Sequence, residues 1–140
     1  MSDLQKIQLR VRSYELDSFG HVNNAVFLQY LEFARGEFLL QRGLSLDDFH
    51  RWKKFPYVKD VNIAYKSPVL YNNLLEIRGR ISKWTGASFT MEKEIFNLTT
   101  NRLAARAEIA FVFVNERGRP TAVPEVFKQR FEASIIKKDE

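Results

Sequence analysis

Cysteine is absent from the chain, and histidine occurs only twice. The first absence excludes disulfide frameworks and thiolate metal sites; no metal and no cofactor is expected. No apolar run approaches the roughly 18 uncharged residues of a membrane helix, so membrane insertion is not expected. The opening stretch MSDLQKIQLRVRSYE has no apolar core of signal-peptide type, and a cytoplasmic protein is the expectation. Internal repeats, low-complexity linkers and breaks in composition are also missing. The 140 residues read as one domain, residues 1–140, ending in the charged tail IIKKDE. A net charge of +5 comes from scattered small clusters, not from a basic stripe with interleaved aromatics. That reads as solubility, and nucleic acid is not an expected partner.

What is present is a strong pattern of periodicities. Ile7, Leu9 and Val11 alternate with Gln8, Arg10 and Arg12, the period of a half-buried strand. Asn23 or Asn24 suits a helix N-cap, and AVFLQYLEFARGEFLL then forms a long helix whose polar residues make only a narrow stripe. Such a helix has to be wrapped on most sides. Gly43 suits its C-terminal stop. Residues 44–56 read as a helical turn and loop. Four strands follow. Tyr57, Val61, Ile63 and Tyr65 share one parity; Leu75, Ile77 and Ile81 alternate with charges; Phe89, Met91 and Ile95 share a face; and LAARAEIAFVFV is apolar on both faces, as a central strand is. Pro124 suits the first position of a short last helix. Strands in succession after one helix predict an α+β domain, an antiparallel sheet around one apolar helix. Apolar residues left on the outer sheet face predict a dimer or larger oligomer.

The chemistry is concentrated in LDSFGHVNN, residues 16–24, just ahead of that helix. The first amides of a helix are unpaired and carry the positive end of its dipole, a place for a developing negative oxygen. Asp17 lies on the lead-in loop, and Gly20 lets that loop fold tightly. A carbonyl placed there would be polarised by the amides while Asp17 attacks it or activates water. An Asp and Asn at a helix start also serve as simple caps, and His21 in a loop also serves as a structural residue.

The stretch Asp17-x-x-Gly20-His21-Val22-Asn23-Asn24, with Phe27-Leu28 and Tyr30-Leu31-Glu32-x-Ala34-Arg35, resembles the signature of hotdog-fold thioesterases of the 4-hydroxybenzoyl-CoA thioesterase type. The likeness continues through Tyr65-Lys66-Ser67-Pro68-Val69 and Gly86-Ala87-Ser88-Phe89, and covers roughly residues 7–131. The resemblance implies the hotdog fold, a curved antiparallel β-sheet wrapped around a long central α-helix. It also implies hydrolysis of acyl thioesters, acyl-CoA or acyl carrier protein conjugates, at a site between two subunits of a dimer or tetramer. Asp17 matches the family's catalytic aspartate, as nucleophile or general base. The carbonyl-polarising amide falls at Asn24. His21 matches a residue held functional in similar plant acyl-carrier-protein thioesterases, which have Asn where this chain has Phe19.

Around this centre, Gly20, Asn23, Phe27, Lys66 and Ser88 are the candidate substrate-binding residues. Thr90 is a weaker companion of Ser88, and Arg102, Lys128 and Arg130 are further cations for coenzyme A phosphates. Glu32 and Arg35, three apart, suit an ion pair. Two departures stand out: Asn72-Asn73 replaces a frequent Gly-Asp, and Phe27 replaces a frequent Tyr. A hotdog-fold enoyl-thioester hydratase and a non-catalytic acyl-CoA-binding hotdog module are the alternatives. The first usually carries an Asn-Pro near the site, which this chain lacks.

Overall fold

The computed structural model describes residues 4–133; the IIKKDE tail lies outside them. β1 (Gln5–Arg10) leads through a 3₁₀ turn (Ser13–Glu15) into α1 (Asn24–Gln41). α2 (Leu46–Trp52), β2 (Phe55–Tyr65), β3 (Leu74–Trp84), β4 (Ser88–Asn97), β5 (Arg102–Val114) and α3 (Glu125–Glu132) follow. The strands form one antiparallel sheet in the order β1-β3-β4-β5-β2. The expected architecture, an antiparallel sheet packed on one long helix, is the one observed.

Local chemistry explains the boundaries. Asn23 is the N-cap of α1, its side chain accepting from the Ala25 amide at 2.9 Å. Gly43, at φ +72°, terminates α1 in the left-handed conformation glycine takes without steric cost. α3 begins at Glu125, with Pro124 as its cap and not its first residue, because Pro124 is extended at ψ 132°.

Leu75, Ile77 and Ile81 of β3, Phe89, Met91 and Ile95 of β4, and Ala105 to Phe113 at alternate positions of β5 point into the core. They meet Phe27, Tyr30, Leu31, Ala34 and Phe38 of α1. At the far end Phe89 stacks on Phe111 at 4.9 Å, and Phe127 of α3 lies 5.1 Å from both Phe89 and Phe113. Arg130 clamps α3 to the end of α1 by donating to the Arg42 and Gly43 carbonyls, at 3.2 and 3.1 Å.

Three expectations are corrected. A β-bulge between Val58 and Asp60 inserts one residue into β2. It reverses the parity, so Tyr57 faces away from Val61, Ile63 and Tyr65. α1 is not wrapped on most sides within one chain: Leu28, Phe33 and Leu40 remain exposed. Nor is the centre of the outer sheet face apolar. It carries the cross-strand rows Arg78–Glu94–Arg106 and Arg80–Glu92–Glu108, with Arg80 to Glu92 at 3.3 Å and Arg106 to Glu94 at 3.1 Å. The exposed apolar side chains of the sheet lie instead on edge strand β2: Tyr57, Val58, Val61 and Tyr65.

Lys93 breaks the apolar pattern of β4. It faces the core, is 1% exposed, and donates to the Leu31 carbonyl of α1 at 3.1 Å. The neighbouring strand makes room with Gly79, whose missing Cβ would lie 2.6 Å from a Phe38 ring carbon and 3.3 Å from Lys93 Cγ. Burial first, and then the nearby Arg35 charge, lower the Lys93 pKa to about 7. Between that value and the ordinary lysine range, the unfolded chain binds a proton that the folded chain does not, so this residue makes stability rise with pH there. Urea unfolding of the wild type at pH 7.5 and 9.5 should show greater stability at the higher pH. Lys93→Met should be the more stable protein at pH 7.5 and lose most of that difference; an unchanged pH dependence in the variant overturns the assignment.

Candidate active site

The loop ahead of α1 is folded by its own backbone. Asp17 donates its amide to the His21 carbonyl at 2.7 Å, and Gly20 donates to the Asp17 carbonyl at 3.1 Å. Gly20 sits at φ +81°, a region costly for other residues. The Asp17 carboxylate completes the turn: Oδ1 accepts the Phe19 and His21 amides at 2.9 and 3.1 Å. Oδ2 has no hydrogen-bond donor among the described residues.

The loop is then fastened to the chain leaving β2. Val22 donates to the Val69 carbonyl at 2.8 Å, and His21 bridges to Leu70. Tyr65, the last residue of β2, donates its hydroxyl to the Asn24 carbonyl at 3.0 Å and packs edge-on against Phe27 at 5.2 Å. Between loop, helix start and strand end lies an open cleft of about 300 Å³ lined by Asp17, His21, Val22, Asn24, Phe27, Tyr65, Lys66, Ser67 and Pro68. The Asn24 amide, first in α1, has no acceptor among the described residues. Asp17 and the first residue of α1, Asn24, therefore border one solvent-open volume.

The thioesterase-like superfamily model matches residues 11–131. The chain belongs to the thioesterase-like superfamily. It is 30% identical over 131 residues to an Arabidopsis thaliana chloroplastic protein, acyl-acyl carrier protein thioesterase ATL3, covering 94% of this chain and 69% of that one. It is 32% identical over 112 residues to the long-chain acyl-CoA thioesterase FadM of Escherichia coli (strain K12), covering 77% of this chain and 81% of that one. Among solved structures, a probable thioesterase from Bartonella henselae superposes with TM-score 0.80 at 30% identity, over 87% of this chain and all of the other. A 1,4-dihydroxy-2-naphthoyl-CoA thioesterase from Synechocystis superposes with TM-score 0.85 at 19% identity, over 92% and 96% of the two chains, which bears on the fold alone.

In this member of the superfamily, Asp17, His21, Asn24, Phe27 and Lys66 share the cleft. Gly20 shapes the loop and Asn23 caps the helix; neither lines the cleft. Ser88 is not brought there. It closes the β3–β4 turn, its hydroxyl against that of Thr85 and its amide donating to Thr85 Oγ1 at 3.0 Å. Thr90 is paired with Lys83 and Ala110 within the sheet. Arg130 is the clamp on α1, and Lys128 lies over the Trp84 ring at 5.9 Å. Neither they nor Arg102 line the cleft. Glu32 and Arg35 do form the expected ion pair. Among the described residues, no group of three or more His, Asp or Glu side chains is placed to hold a metal.

The Asn72-Asn73 departure has a physical account. Asn72 adopts φ +64°, which Asn tolerates better than most residues. Asn73 Oδ1 accepts from the Leu70 amide and from Asn97 Nδ2, both at 2.9 Å. The pair thus does a Gly-Asp turn's work without charge. Sequence reasoning did not assign a role to Tyr65 or Ser67; the signal was the proline ending that strand run, which places Tyr65 at a strand end.

Gly20→Val should strain the loop by about 1–3 kcal/mol. The space around it is open, so the effect is conformational and not a clash. Thermal melting should show a folded, slightly less stable protein with thioester-cleaving activity reduced at least tenfold; unchanged activity removes the requirement for the tight loop.

Proposed function

We propose that this chain hydrolyses an acyl thioester, releasing a free acid and the thiol of coenzyme A or of an acyl carrier protein. The observation that carries the reading is the cleft that Asp17 shares with Asn24, the first residue of α1. Membership of the superfamily, and relatives near 30% identity named as thioesterases, support it.

In the general-base form, Asp17 takes a proton from water while the hydroxyl adds to the thioester carbon. The carbonyl oxygen becomes an oxyanion at the Asn24 N–H, and collapse expels the thiolate, which is then protonated. In the nucleophilic form, Asp17 itself adds, the C–S bond breaks as the thiolate leaves and is protonated, and water cleaves the resulting anhydride, freeing the acid and Asp17. Either way a preorganised donor at the oxyanion is worth about 3 kcal/mol. Phe27 and Tyr65 form the apolar wall against the acyl group. Among the described residues lining the cleft, Lys66 is the lysine or arginine offered to a phosphate of the carrier, and His21 orients the loop through its backbone.

A second copy of the chain adds to the exposed edge of β2 in this reading. Its 11 residues carry four exposed apolar side chains, and an edge left unpaired within the chain is a template for another strand.

Asp17→Asn retains an oxygen to accept the Phe19 and His21 amides, so the loop should keep its shape. Thiol release from a panel of short, long and aromatic acyl-CoA and acyl-carrier-protein thioesters should fall at least 100-fold, an effect within the range of general-base removal. Near-normal rates overturn the assignment, as does hydration of crotonyl-CoA without thiol release. Light scattering should show a dimer or tetramer, and Val61→Lys should shift it toward monomer; a monomeric wild type overturns the β2 pairing.

A further inference from the structure

Glu15 is a buried carboxylate outside the cleft. Its Oε1 accepts the Tyr30 hydroxyl at 2.8 Å and the Arg12 amide at 2.7 Å, and its Oε2 faces Arg12 Nη2 at 3.2 Å. Its backbone carbonyl accepts the amide of Asn23, the helix cap, at 3.0 Å. Tyr30 stands on the second turn of α1, 2% exposed, and touches Phe27 edge-on at 6.3 Å. Burial and the Glu15 carboxylate hold its phenol protonated well above the ordinary range. One residue therefore ties three things together: the 3₁₀ turn before the loop, the cap of the helix and the side of the helix itself.

Burying a carboxylate is unfavourable unless it is fully bonded. For holding a helix against a turn, an apolar pair of similar volume does as well or better. What an apolar pair lacks is direction. Hydrogen bonds from Tyr30 and from Arg12 fix Glu15 along two axes, and Asp17 follows Glu15 by two residues. The Asn24 amide follows Asn23 by one. The bonds to Glu15 thus hold the chain two residues before Asp17 and one residue before Asn24.

We infer that Glu15 and Tyr30 are positioning residues: their hydrogen bond sets the separation between the Asp17 carboxylate and the Asn24 amide, and so the rate of the step that uses both. The inference rests on the reading of the cleft given above. A misplacement of about 1 Å costs on the order of 100-fold in rate. Tyr30→Phe keeps the ring and removes only the hydroxyl.

The test measures kcat and KM of the wild type, Tyr30→Phe, Asp17→Asn and the double variant, on whichever thioester of the panel turns over best, with folding checked by circular dichroism. Tyr30→Phe should lower kcat about 10- to 100-fold with KM changed less than about threefold. In the Asp17→Asn background, the same change should alter the residual rate less than about twofold, because the positioned group is already gone. A wild-type kcat for Tyr30→Phe overturns the inference, and so does a full multiplicative loss in the Asp17→Asn background, which would mark a purely structural role. Wild-type turnover by Asp17→Asn removes the cleft reading, and the inference with it. Should Tyr30→Phe not fold, Glu15→Gln decides by the same criteria, since it keeps an acceptor oxygen but gives up the ion pair with Arg12.

Discussion

Val22 donates its amide to the Val69 carbonyl, and Tyr65 donates its hydroxyl to the Asn24 carbonyl, so the first turn of α1 is pinned to the segment where β2 ends. This junction is the constraint on which the cleft depends. A helix start offers unpaired amides only while nothing else covers them, and here the pinning comes from the preceding loop residue and from the Asn24 carbonyl. The amide of Asn24 is left without an acceptor among the described residues while the backbone around it is held. The loop folds back on itself between Asp17 and His21, and Asp17 lines the same cleft as the first residue of α1.

The core supplies the rigidity this junction needs, and does so with an unusual mixture. At the α3 end, stacked and tilted phenylalanines fill the space and hold the last helix. Nearer the middle, Lys93 reaches the Leu31 carbonyl past Gly79, a polar contact inside an otherwise apolar layer. At the cleft end, Glu15 and Tyr30 replace apolar packing with directed bonds. Polar groups enter the interior where α1 must be located along and around its axis, which dispersion contacts do only weakly.

The surface divides along similar lines. Opposite charges pair between neighbouring strands on the outer sheet face: Arg80 with Glu92 and Arg106 with Glu94. Exposed apolar side chains gather on β2 and on the open side of α1. β2 also ends in Tyr65 and runs into Lys66, Ser67 and Pro68, so its exposed edge and the cleft are one continuous region of the molecule.

Much of this was legible in the residues themselves. Period-two alternation located β1, β3 and β4, and a mostly apolar run bounded by Asn23 and Gly43 located α1, because side-chain burial follows backbone period. The nine-residue loop announced its chemistry through residue types that are rare beside an apolar helix. Local pattern could not foresee the bulge that turns Tyr57 outward, since a bulge arises from how two strands register. Nor could it keep Ser88 out of the cleft or bring Tyr65 into it; those outcomes depend on which strand end the loop meets. The sequence by itself determined the elements, the cap and the acid at position 17, because these follow from local periodicity and residue chemistry. Only the tertiary structure decided which groups share the cleft, and that Glu15 and Tyr30 meet beneath it, because residues 15 positions apart come together only when the turn and the helix pack.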